Sequence, residues 1–271
     1  MNENELILCD LLNCKFLDLH LNNLSPDSLS PRKRSLFFSI KEKRAKGEPL
    51  QYILGKCEFF GLEFKVRPGV FIPRPETEIL VEQAIGISNA IRNTQGAIRI
   101  LDIGTGSGNI AISLAKNIPN SKITAVDISQ EAINLAKENA KLHGVRDRIE
   151  FINEDILMFS QYEIPDTQYD LIISNPPYIK SADIEKLQIE VQKEPRLALD
   201  GGQDGLNYYR AIIELSSKFL KPNGILLFEA GLGQAQEISA IAGSGNIFYL
   251  ENLIEDYNKI ERVLVLKKNN F

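Results

Sequence analysis

The sequence predicts an α/β protein that is built on a doubly wound, mainly parallel β-sheet. From residue 97 onward, apolar segments of strand length alternate with amphipathic segments of helix length, which is typical of sheets covered by helices on both faces. A glycine-rich segment, LDIGTGSGN at 101–109, joins the first of these strands to the first helix. Asp127 closes the next strand, so the sequence also predicts a ligand site at the carboxyl edge of the sheet.

The alternation gives each predicted element an approximate place. Helices are predicted at 107–118 and 130–144, and near 204–220 and 233–242. Because strands separated by helices pair in parallel, most neighbours in the sheet should be parallel. The predicted strands are AIRILDIG (97–104), KITAVDIS (122–129), RIEFINED (148–155), YDLIISN (169–175), GILLFEAG (224–231), NIFYLEN (246–252) and RVLVLKK (262–268).

The first fifty residues are predicted to be helical. The segment LILCDLLNCKFLDLHL at 6–21 places apolar residues three and four positions apart, which is the spacing of one helix face. Ser30 followed by Pro31 is typical of a helix start. The segment GEP at 47–49 marks a helix end.

A β-hairpin is predicted next. The segment CEFFGLEFKV at 57–66 has aromatic and apolar residues on both sides of Gly61. The following RPGVFIPRP at 67–75 contains too many prolines for a regular element. A helix should then begin at about Glu76.

The composition is that of an ordinary globular protein and weighs against several classes. Hydrophobic residues make up 44% and charged residues 25% of the 271, and the net charge of −5 does not suit a surface that coats nucleic acid. Three cysteines and two histidines are too few and too scattered for a disulfide framework or a zinc site, so we expect no metal. The acidic N-terminus and the lack of a long apolar run predict a cytoplasmic protein without a membrane span.

The glycine-rich turn is the predicted cofactor site. Glycines allow positive φ and let a ligand approach the backbone closely. Asp127 follows Gly104 by 23 residues, and its carboxylate should sit beside the turn and accept hydrogen bonds from both ribose hydroxyls of an adenosine. Asn109 stands where the dinucleotide pattern has its third glycine, so the spacing favours S-adenosylmethionine. A turn without any ligand is the alternative. The turn residues assigned to the cofactor are Gly104, Thr105, Gly106, Ser107 and Gly108.

Three further residues near the turn have two interpretations each. Asp155, at the end of the third predicted strand, could accept a hydrogen bond from the adenine amine, and Ile156 could pack on the adenine ring. The alternative for both is an ordinary solvated strand end. Asp102 could hold the amino acid part of the cofactor through a water or a loop amide, or it could only support the turn.

The segment SNPPYI at 174–179 is the predicted catalytic site. Two prolines stop the strand abruptly and fix the backbone. The amide oxygen of Asn175 and the backbone carbonyl of Pro176 could accept the two N–H bonds of a planar amino group, which favours attack by its nitrogen on a methyl sulfonium. Pro177 keeps the segment rigid, and Tyr178 could stack on the target. These residues suit an amide and an adenine amine equally, and a proline-rich loop without a function is the alternative.

Five segments together resemble the peptide chain release factor glutamine N5-methyltransferases, over nearly the whole chain. Asn-Pro-Pro-Tyr alone is shared with adenine-N6 methyltransferases, and the other segments are more specific. They are QYILGKCEFFGLEFKV (51–66), FIPRPETEILVE (71–82), LDIGTGSGNIAISLA (101–115), SNPPYI (174–179) and EPRLALDGGQDGLNYYR (194–210).

The resemblance implies two domains and one reaction. A small N-terminal helical domain with a linking β-hairpin, residues 1–73, should recognise the substrate. Residues 74–271 should form a Rossmann-like, seven-stranded class I S-adenosylmethionine-dependent methyltransferase domain. The implied reaction moves a methyl group from S-adenosylmethionine to the glutamine amide nitrogen in the Gly-Gly-Gln loop of class I release factors. S-adenosylhomocysteine is the second product, and the methylation modulates translation termination.

By the same resemblance, residues 104–108, Asp127 and Asn175 contact S-adenosylmethionine, and residues 175–178 contact the glutamine. The segment of Arg74, Pro75, Glu76 and Thr77 lines the same pocket by this resemblance, although it could equally be a helix start with Glu76 near the positive end of the helix dipole. Whether the release factor is met free or on the ribosome stays open, and a monomer without specific nucleic-acid binding is expected.

The chain departs from the family pattern in strand segment FEAG (228–231) and in QKEP (192–195), which leaves details of substrate recognition open. It also contains its own Gly-Gly-Gln at 201–203, interpreted as a loop in which Asp204 caps the next helix. The basic segment at 32–46 could attract an acidic partner surface or could be a solvated helix face.

Two competing functions remain at this point. Adenine-N6 methylation of DNA or RNA would use the same Asn-Pro-Pro-Tyr segment. Residues 96–271, however, carry 18 basic and 24 acidic residues, and nucleic-acid recognition needs a basic region. The other function is a binding protein that keeps the cofactor and does no chemistry.

Overall fold

The computed structural model describes residues 2–91, 96–158 and 168–270. In chain order these residues form a group of helices, a β-hairpin and a large α/β sheet domain. Within the described ranges, no helix is both long enough and apolar enough to cross a lipid bilayer.

The N-terminal part is helical, as the sequence predicts. The hydroxyl of Ser30 accepts a hydrogen bond from the N–H of Lys33 (3.4 Å), and Pro31 takes the first position of the third helix, where its missing N–H is no loss. Leu19 and Phe37 lie in the small apolar core between the helices. The helices are α1 (Glu3–Leu12), α2 (Phe16–Leu21), α3 (Pro31–Ala45) and α4 (Leu50–Leu54).

Part of the basic segment at 32–46 is used inside the protein. The guanidinium of Arg44 bonds the carboxylates of Glu3 (3.1 Å) and Glu190 (2.7 Å). Glu190 belongs to the sheet domain, so this arginine joins the helical part to it. Of the remaining basic residues, three are exposed, as on a solvated helix face, and three are partly buried: the exposed ones are Arg32, Lys43 and Lys46, and the partly buried ones are Lys33, Arg34 and Lys41.

The predicted hairpin is present and is fixed to the sheet domain. Strands β1 (Lys56–Phe59) and β2 (Leu62–Lys65) are antiparallel. The side chain of Asn139 accepts a hydrogen bond from the N–H of Lys65 (2.9 Å) and donates to its carbonyl (3.1 Å). The same amide donates to the carbonyl of Ser107 in the glycine-rich turn (2.9 Å). One buried asparagine therefore holds the hairpin and the turn together.

The sheet is doubly wound and mainly parallel, as predicted. Its order is β5-β4-β3-β6-β7-β9-β8. Strands β3 to β7 pair in parallel, whereas β9 pairs antiparallel with β7 and β8. The chain winds outward from β3 in one direction and from β6 in the other, so the ligand crevice is expected between these two strands. The strands are β3 (Ile98–Ile103), β4 (Ser121–Asp127), β5 (Ile149–Asn153), β6 (Tyr169–Ser174), β7 (Leu220–Glu229), β8 (Phe248–Glu255) and β9 (Glu261–Lys268).

Helices cover both faces of the sheet and form two apolar cores. Alternate residues of β3 show the division, because Ile100 packs in one core and Leu101 in the other. The first core contains the buried faces of α5 and α6 and Ala140 of α7, and the second contains those of α9 and α10. These helices, with the short α8, are α5 (Thr77–Ile91), α6 (Asn109–Asn117), α7 (Gln130–Leu142), α8 (Ile189–Gln192), α9 (Asn207–Phe219) and α10 (Ala235–Gly243).

The prediction that Asp204 caps a helix is wrong. Helix α9 begins at Asn207, and the residue in the cap position is Leu206. The carboxylate of Asp204 instead accepts a hydrogen bond from the N–H of Leu206 (3.0 Å) and pairs with Arg210. The aspartate therefore closes the turn before the helix. It lies two residues before the cap position, from which a side chain would accept hydrogen bonds from the free N–H groups of the first helical turn.

Replacing Asn139 with alanine should lower the free energy of unfolding by about 2–4 kcal/mol, because its removal leaves one buried and two partly buried backbone groups without this partner. Asn134→Ala on the same helix is the matched control, since Asn134 is exposed and should cost less than about 0.5 kcal/mol. Urea denaturation followed by circular dichroism measures both. Equal losses for the two variants would contradict the role given to Asn139.

Candidate active site

The crevice between β3 and β6 contains the site. Their pairing places Ile103 opposite Ser174, so the glycine-rich turn and the Asn-Pro-Pro-Tyr segment leave the sheet side by side. The hydroxyl of Ser174 donates to the carbonyl of Ile103 (2.8 Å) and holds the two strand ends together. The residues predicted from the sequence that line the resulting cavity are Gly104, Thr105, Gly106, Ser107, Asp127, Asp155, Ile156, Asn175, Pro176, Pro177 and Tyr178.

The glycine-rich turn has the backbone that its sequence predicts. Gly104, Gly106 and Gly108 have φ of 72°, 55° and 83°, a region that favours glycine. A Cβ atom added to Gly104 or Gly106 would meet no atom within 4 Å. The turn therefore presents open backbone to the cavity, where a ligand can approach it closely.

Asp127 is the acidic partner of this turn. Its carboxylate accepts a hydrogen bond from the N–H of Gly106 (2.8 Å) and another from the N–H of Ser129 (2.9 Å). Burial raises the pKa of Asp127 above its ordinary value, and these two hydrogen bonds oppose the shift. Each carboxylate oxygen keeps a further lone pair, so the side chain can accept the two hydroxyls of a ribose. The residues present fit the adenosine part of S-adenosylmethionine.

Asp102 supports the turn from behind. It is fully buried, and its carboxylate accepts a hydrogen bond from the hydroxyl of Thr105 (2.7 Å). Burial raises the pKa of Asp102 to about 7. Of the two interpretations of this residue, support of the turn has a direct contact in the structure, and the contact with a ligand stays a prediction.

Asp155 and Ile156 follow β5 and face the same cavity. The carboxylate of Asp155 accepts a hydrogen bond from the N–H of Leu157 (2.9 Å). Ile156 packs against the second apolar core. Their position is suitable for an adenine ring, and their assignment to it stays a prediction.

The Asn-Pro-Pro-Tyr segment is held in place from two sides. On one side, the amide nitrogen of Asn175 donates to the hydroxyl oxygen of Thr77 (3.0 Å). The amide oxygen is then on the opposite side of the planar group. Burial raises the pKa of Tyr178 to about 12, so the phenol is neutral at physiological pH and its ring can stack on a planar group.

On the other side, a glycine-rich loop braces the backbone of the segment. The side chain of Gln234 donates to the carbonyl of Tyr178 (3.0 Å), and the N–H of Gly201 donates to the carbonyl of Ile179 (2.8 Å). A Cβ atom on Gly205 would lie 2.5 Å from the Tyr178 carbonyl oxygen. The loop that contains the chain's own Gly-Gly-Gln is thus a structural support for the segment.

Sequence reasoning did not find Glu229 as part of the site. Its carboxylate accepts a hydrogen bond from the hydroxyl of Thr77 (2.6 Å), directly behind Asn175. Glu229 is 1% exposed. The sequence does contain a sign of this role. Glu229 is the one charged residue in the apolar strand segment GILLFEAG, and a buried carboxylate needs partners.

Arg74 and Glu76 do not belong to the cavity lining formed by the described residues. Arg74 is paired with the buried carboxylate of Glu194, and its guanidinium lies 4.6 Å from the ring centre of Phe71. Glu194 also accepts a hydrogen bond from the N–H of Ile72 (3.0 Å). The arginine therefore fixes the proline-rich segment that forms one wall of the cavity, and direct substrate contact by either residue stays a prediction.

Comparison with known proteins agrees with the fold. Residues 95–253 match the family described as "Methyltransferase domain". A crystal structure of a methyltransferase from Pyrococcus furiosus superimposes with a TM-score of 0.56 at 17% identity, covering 79% of this chain and 91% of the other. The chain is a class I S-adenosylmethionine-dependent methyltransferase.

Relatives that match most of the chain show which family of methyltransferases it belongs to. Residues 2–55 match the family described as "PrmC N-terminal domain". A release factor glutamine methyltransferase from Thermodesulfovibrio yellowstonii is 40% identical over 270 residues, covering 99% of this chain and 93% of the relative. Another from Geobacter sulfurreducens is 44% identical over 240 residues, covering 87% and 78%. The chain belongs to the release factor glutamine methyltransferase family.

Gly205→Ala should lower the turnover number by about 10–100-fold, because the added methyl displaces the catalytic segment. Binding of S-adenosylmethionine should change much less. Gly233→Ala is the matched control, since Gly233 also has a positive φ (77°) but a Cβ there meets no atom within 4 Å. Steady-state kinetics and calorimetric titration measure the two quantities. A similar loss of turnover in both variants would mean that backbone strain, and not displacement of the segment, is the cause.

Proposed function

We propose that this protein transfers the methyl group of S-adenosylmethionine to the side-chain amide nitrogen of the glutamine in the Gly-Gly-Gln loop of a class I peptide chain release factor. The observation that carries the proposal is the orientation of Asn175. Its amide nitrogen is committed to Thr77, so its oxygen is the atom that can accept an N–H from a primary amide in the cavity.

The relatives support the choice of an amide over an adenine amine. The relatives from Thermodesulfovibrio yellowstonii and Geobacter sulfurreducens carry the name release factor glutamine methyltransferase. The match to the first of them covers 99% of this chain, so it includes both the N-terminal helices and the sheet domain. Adenine-N6 methylation has no specific observation in its favour, and it becomes an outcome of the test below.

Residues of the glycine-rich turn and Asp127 hold the cofactor, with Asp155 and Ile156 at the adenine. When bound, S-adenosylmethionine supplies an electrophilic methyl group, and no metal is needed. In this proposal Asn175 contacts both the cofactor and the glutamine, since it lines the cavity between them.

The catalytic residues act by positioning. The oxygen of Asn175 and the carbonyl of Pro176 accept the two N–H bonds of the glutamine amide, which turns its nitrogen lone pair toward the methyl group and stabilises the positive charge that develops. Pro177 keeps these acceptors rigid, and the neutral ring of Tyr178 stacks on the amide plane. A strong base is not required, since the amide nitrogen becomes acidic only as the bond to carbon forms.

The partner and setting follow from the same proposal. The helical domain and hairpin, residues 1–73, recognise the body of the release factor while its loop enters the cavity, with Arg74 and Glu76 near the entrance. The enzyme works as a cytoplasmic monomer without specific nucleic-acid contacts, on a release factor that is free or bound to the ribosome.

A direct assay tests the function. The protein is incubated with a purified class I release factor and S-adenosylmethionine, and the methyl group is located by peptide mass mapping. We expect one methyl group on the glutamine of the Gly-Gly-Gln loop and none on a release factor in which this glutamine is replaced by alanine. Methylation of added DNA or RNA without methylation of the protein would overturn the proposal.

Asn175→Ala should lower the turnover number by about 10²–10³-fold, because it removes one of two fixed acceptors for the reacting amide. The affinity for S-adenosylmethionine, measured by calorimetry, should fall only slightly. Asp127→Ala gives the opposite pattern, with affinity for the cofactor reduced by about 10–100-fold through the loss of charged hydrogen bonds. Equal losses of turnover and affinity in Asn175→Ala would contradict the assigned role.

A further inference from the structure

Three side chains form a continuous hydrogen-bonded chain behind the catalytic amide. The amide nitrogen of Asn175 lies 3.0 Å from the hydroxyl oxygen of Thr77, and this hydroxyl lies 2.6 Å from a carboxylate oxygen of Glu229. Thr77 is 2% exposed and Glu229 is 1% exposed. The residues come from the start of α5, from the end of β6 and from the end of β7, so this arrangement depends on the pairing of β6 with β7 and on the position of α5.

The direction of the hydrogen bonds follows from their chemistry. An ionised carboxylate can only accept, and a hydroxyl has a single proton to donate. The hydroxyl of Thr77 therefore donates its hydrogen bond to ionised Glu229. The same hydroxyl can then only accept a hydrogen bond from Asn175. The amide must then present its nitrogen to Thr77 and its oxygen to the cavity, which is the orientation that accepts an N–H from the substrate.

A neutral Glu229 removes this constraint. A protonated carboxyl group can donate to Thr77 as well as accept from it. Thr77 can then donate a hydrogen bond to the amide oxygen of Asn175, and the side-chain amide rotates to present this oxygen to Thr77. In that orientation the Asn175 NH₂ faces the NH₂ of the substrate, and two donors oppose each other without an acceptor.

The surroundings of Glu229 allow both its ionised and its protonated form near neutral pH. Burial raises the pKa of Glu229 to about 7, and the Thr77 hydroxyl, the Arg262 guanidinium on β9 and the Asn175 amide oppose the shift, whereas Glu76 adds to it. From the other elements, the phenol of Tyr178 lies near the carboxylate and the hydroxyl of Tyr209 on α9 donates to the Glu229 backbone carbonyl (2.8 Å).

We propose that Thr77 and Glu229 are positioning residues for methyl transfer, and that the ionised carboxylate of Glu229 sets the productive orientation of Asn175 through the hydroxyl of Thr77. This inference rests on the proposed function, because it concerns the same amide acceptor. Uptake of a proton by Glu229 converts the site into a form that binds the cofactor but turns over slowly.

Two substitutions at Thr77 test the hydroxyl. Thr77→Val keeps the shape and removes the hydrogen bonds, so the turnover number at saturating substrates should fall by about 10–100-fold, as for other groups that orient a reacting side chain. The affinity for S-adenosylmethionine should stay within about twofold, because the hydroxyl faces Asn175 and Glu229. Thr77→Ser keeps the hydroxyl and should restore most of the turnover. Full activity of Thr77→Val, or no rescue by Thr77→Ser, would overturn the proposal.

The pH dependence of the turnover number tests the carboxylate. This experiment does not use Thr77→Val, so it remains valid if that variant fails to fold. The turnover number of the wild-type protein should decrease as the pH falls through about 7, and Glu229→Gln, which cannot ionise, should lack this decrease. Asp102→Asn is the matched control, since Asp102 is also a fully buried carboxyl group whose pKa is raised to about 7. It should keep the decrease. A decrease that persists in Glu229→Gln and disappears in Asp102→Asn would assign the effect to the glycine-rich turn and sink the proposal.

The wild-type protein separates this inference from the proposed function. If it does not methylate the release factor glutamine at any pH, the proposed function fails. If it does so and the Thr77 and Glu229 variants match it in turnover and pH dependence, only the inference fails.

Discussion

The parallel pairing of β3 with β6 is the constraint on which the site depends. The pairing brings Ile103 opposite Ser174, so the glycine-rich turn and the Asn-Pro-Pro-Tyr segment begin at the same level of the sheet. A shift of one residue in this register would move one strand end by about 3.3 Å and turn its side chains to the opposite face. The bond from the Ser174 hydroxyl to the Ile103 carbonyl lies at the point where such a shift would be most harmful.

The Asn-Pro-Pro-Tyr segment is held in its shape by polar contacts from distant parts of the chain. Thr77 and Glu229 lie behind the Asn175 amide, and Gln234 holds the carbonyl of Tyr178. An acceptor that is fixed before the substrate arrives does not have to reorganise during the reaction. In the proposed reaction, which needs no strong base, this fixed geometry is what an asparagine, a backbone carbonyl and an aromatic ring would contribute.

Features that depend on local sequence could be predicted, and those that depend on distant partners could not. The strand β3, the glycine-rich turn and the cap at Ser30 follow from residues within a few positions of one another. The Thr77–Glu229 bond joins residues 152 positions apart, and the Arg74–Glu194 pair joins residues 120 positions apart. A sequence shows that Glu229 is a carboxylate in an apolar strand, but it does not show which group lies opposite. The same limit applies to Arg74, because the sequence does not show that its guanidinium pairs with the carboxylate of Glu194.

The loop at 201–205 has a consequence for protein engineering. Gly201 and Gly205 approach the backbone of residues 177–178 so closely that a Cβ atom on either would lie within 2.8 Å of it. The four-residue Asn-Pro-Pro-Tyr segment is therefore not a portable module. A designer who transplanted it to another scaffold would also have to transfer a second, non-contiguous stretch of backbone with both glycines, and the two pieces would have to be moved as one rigid unit.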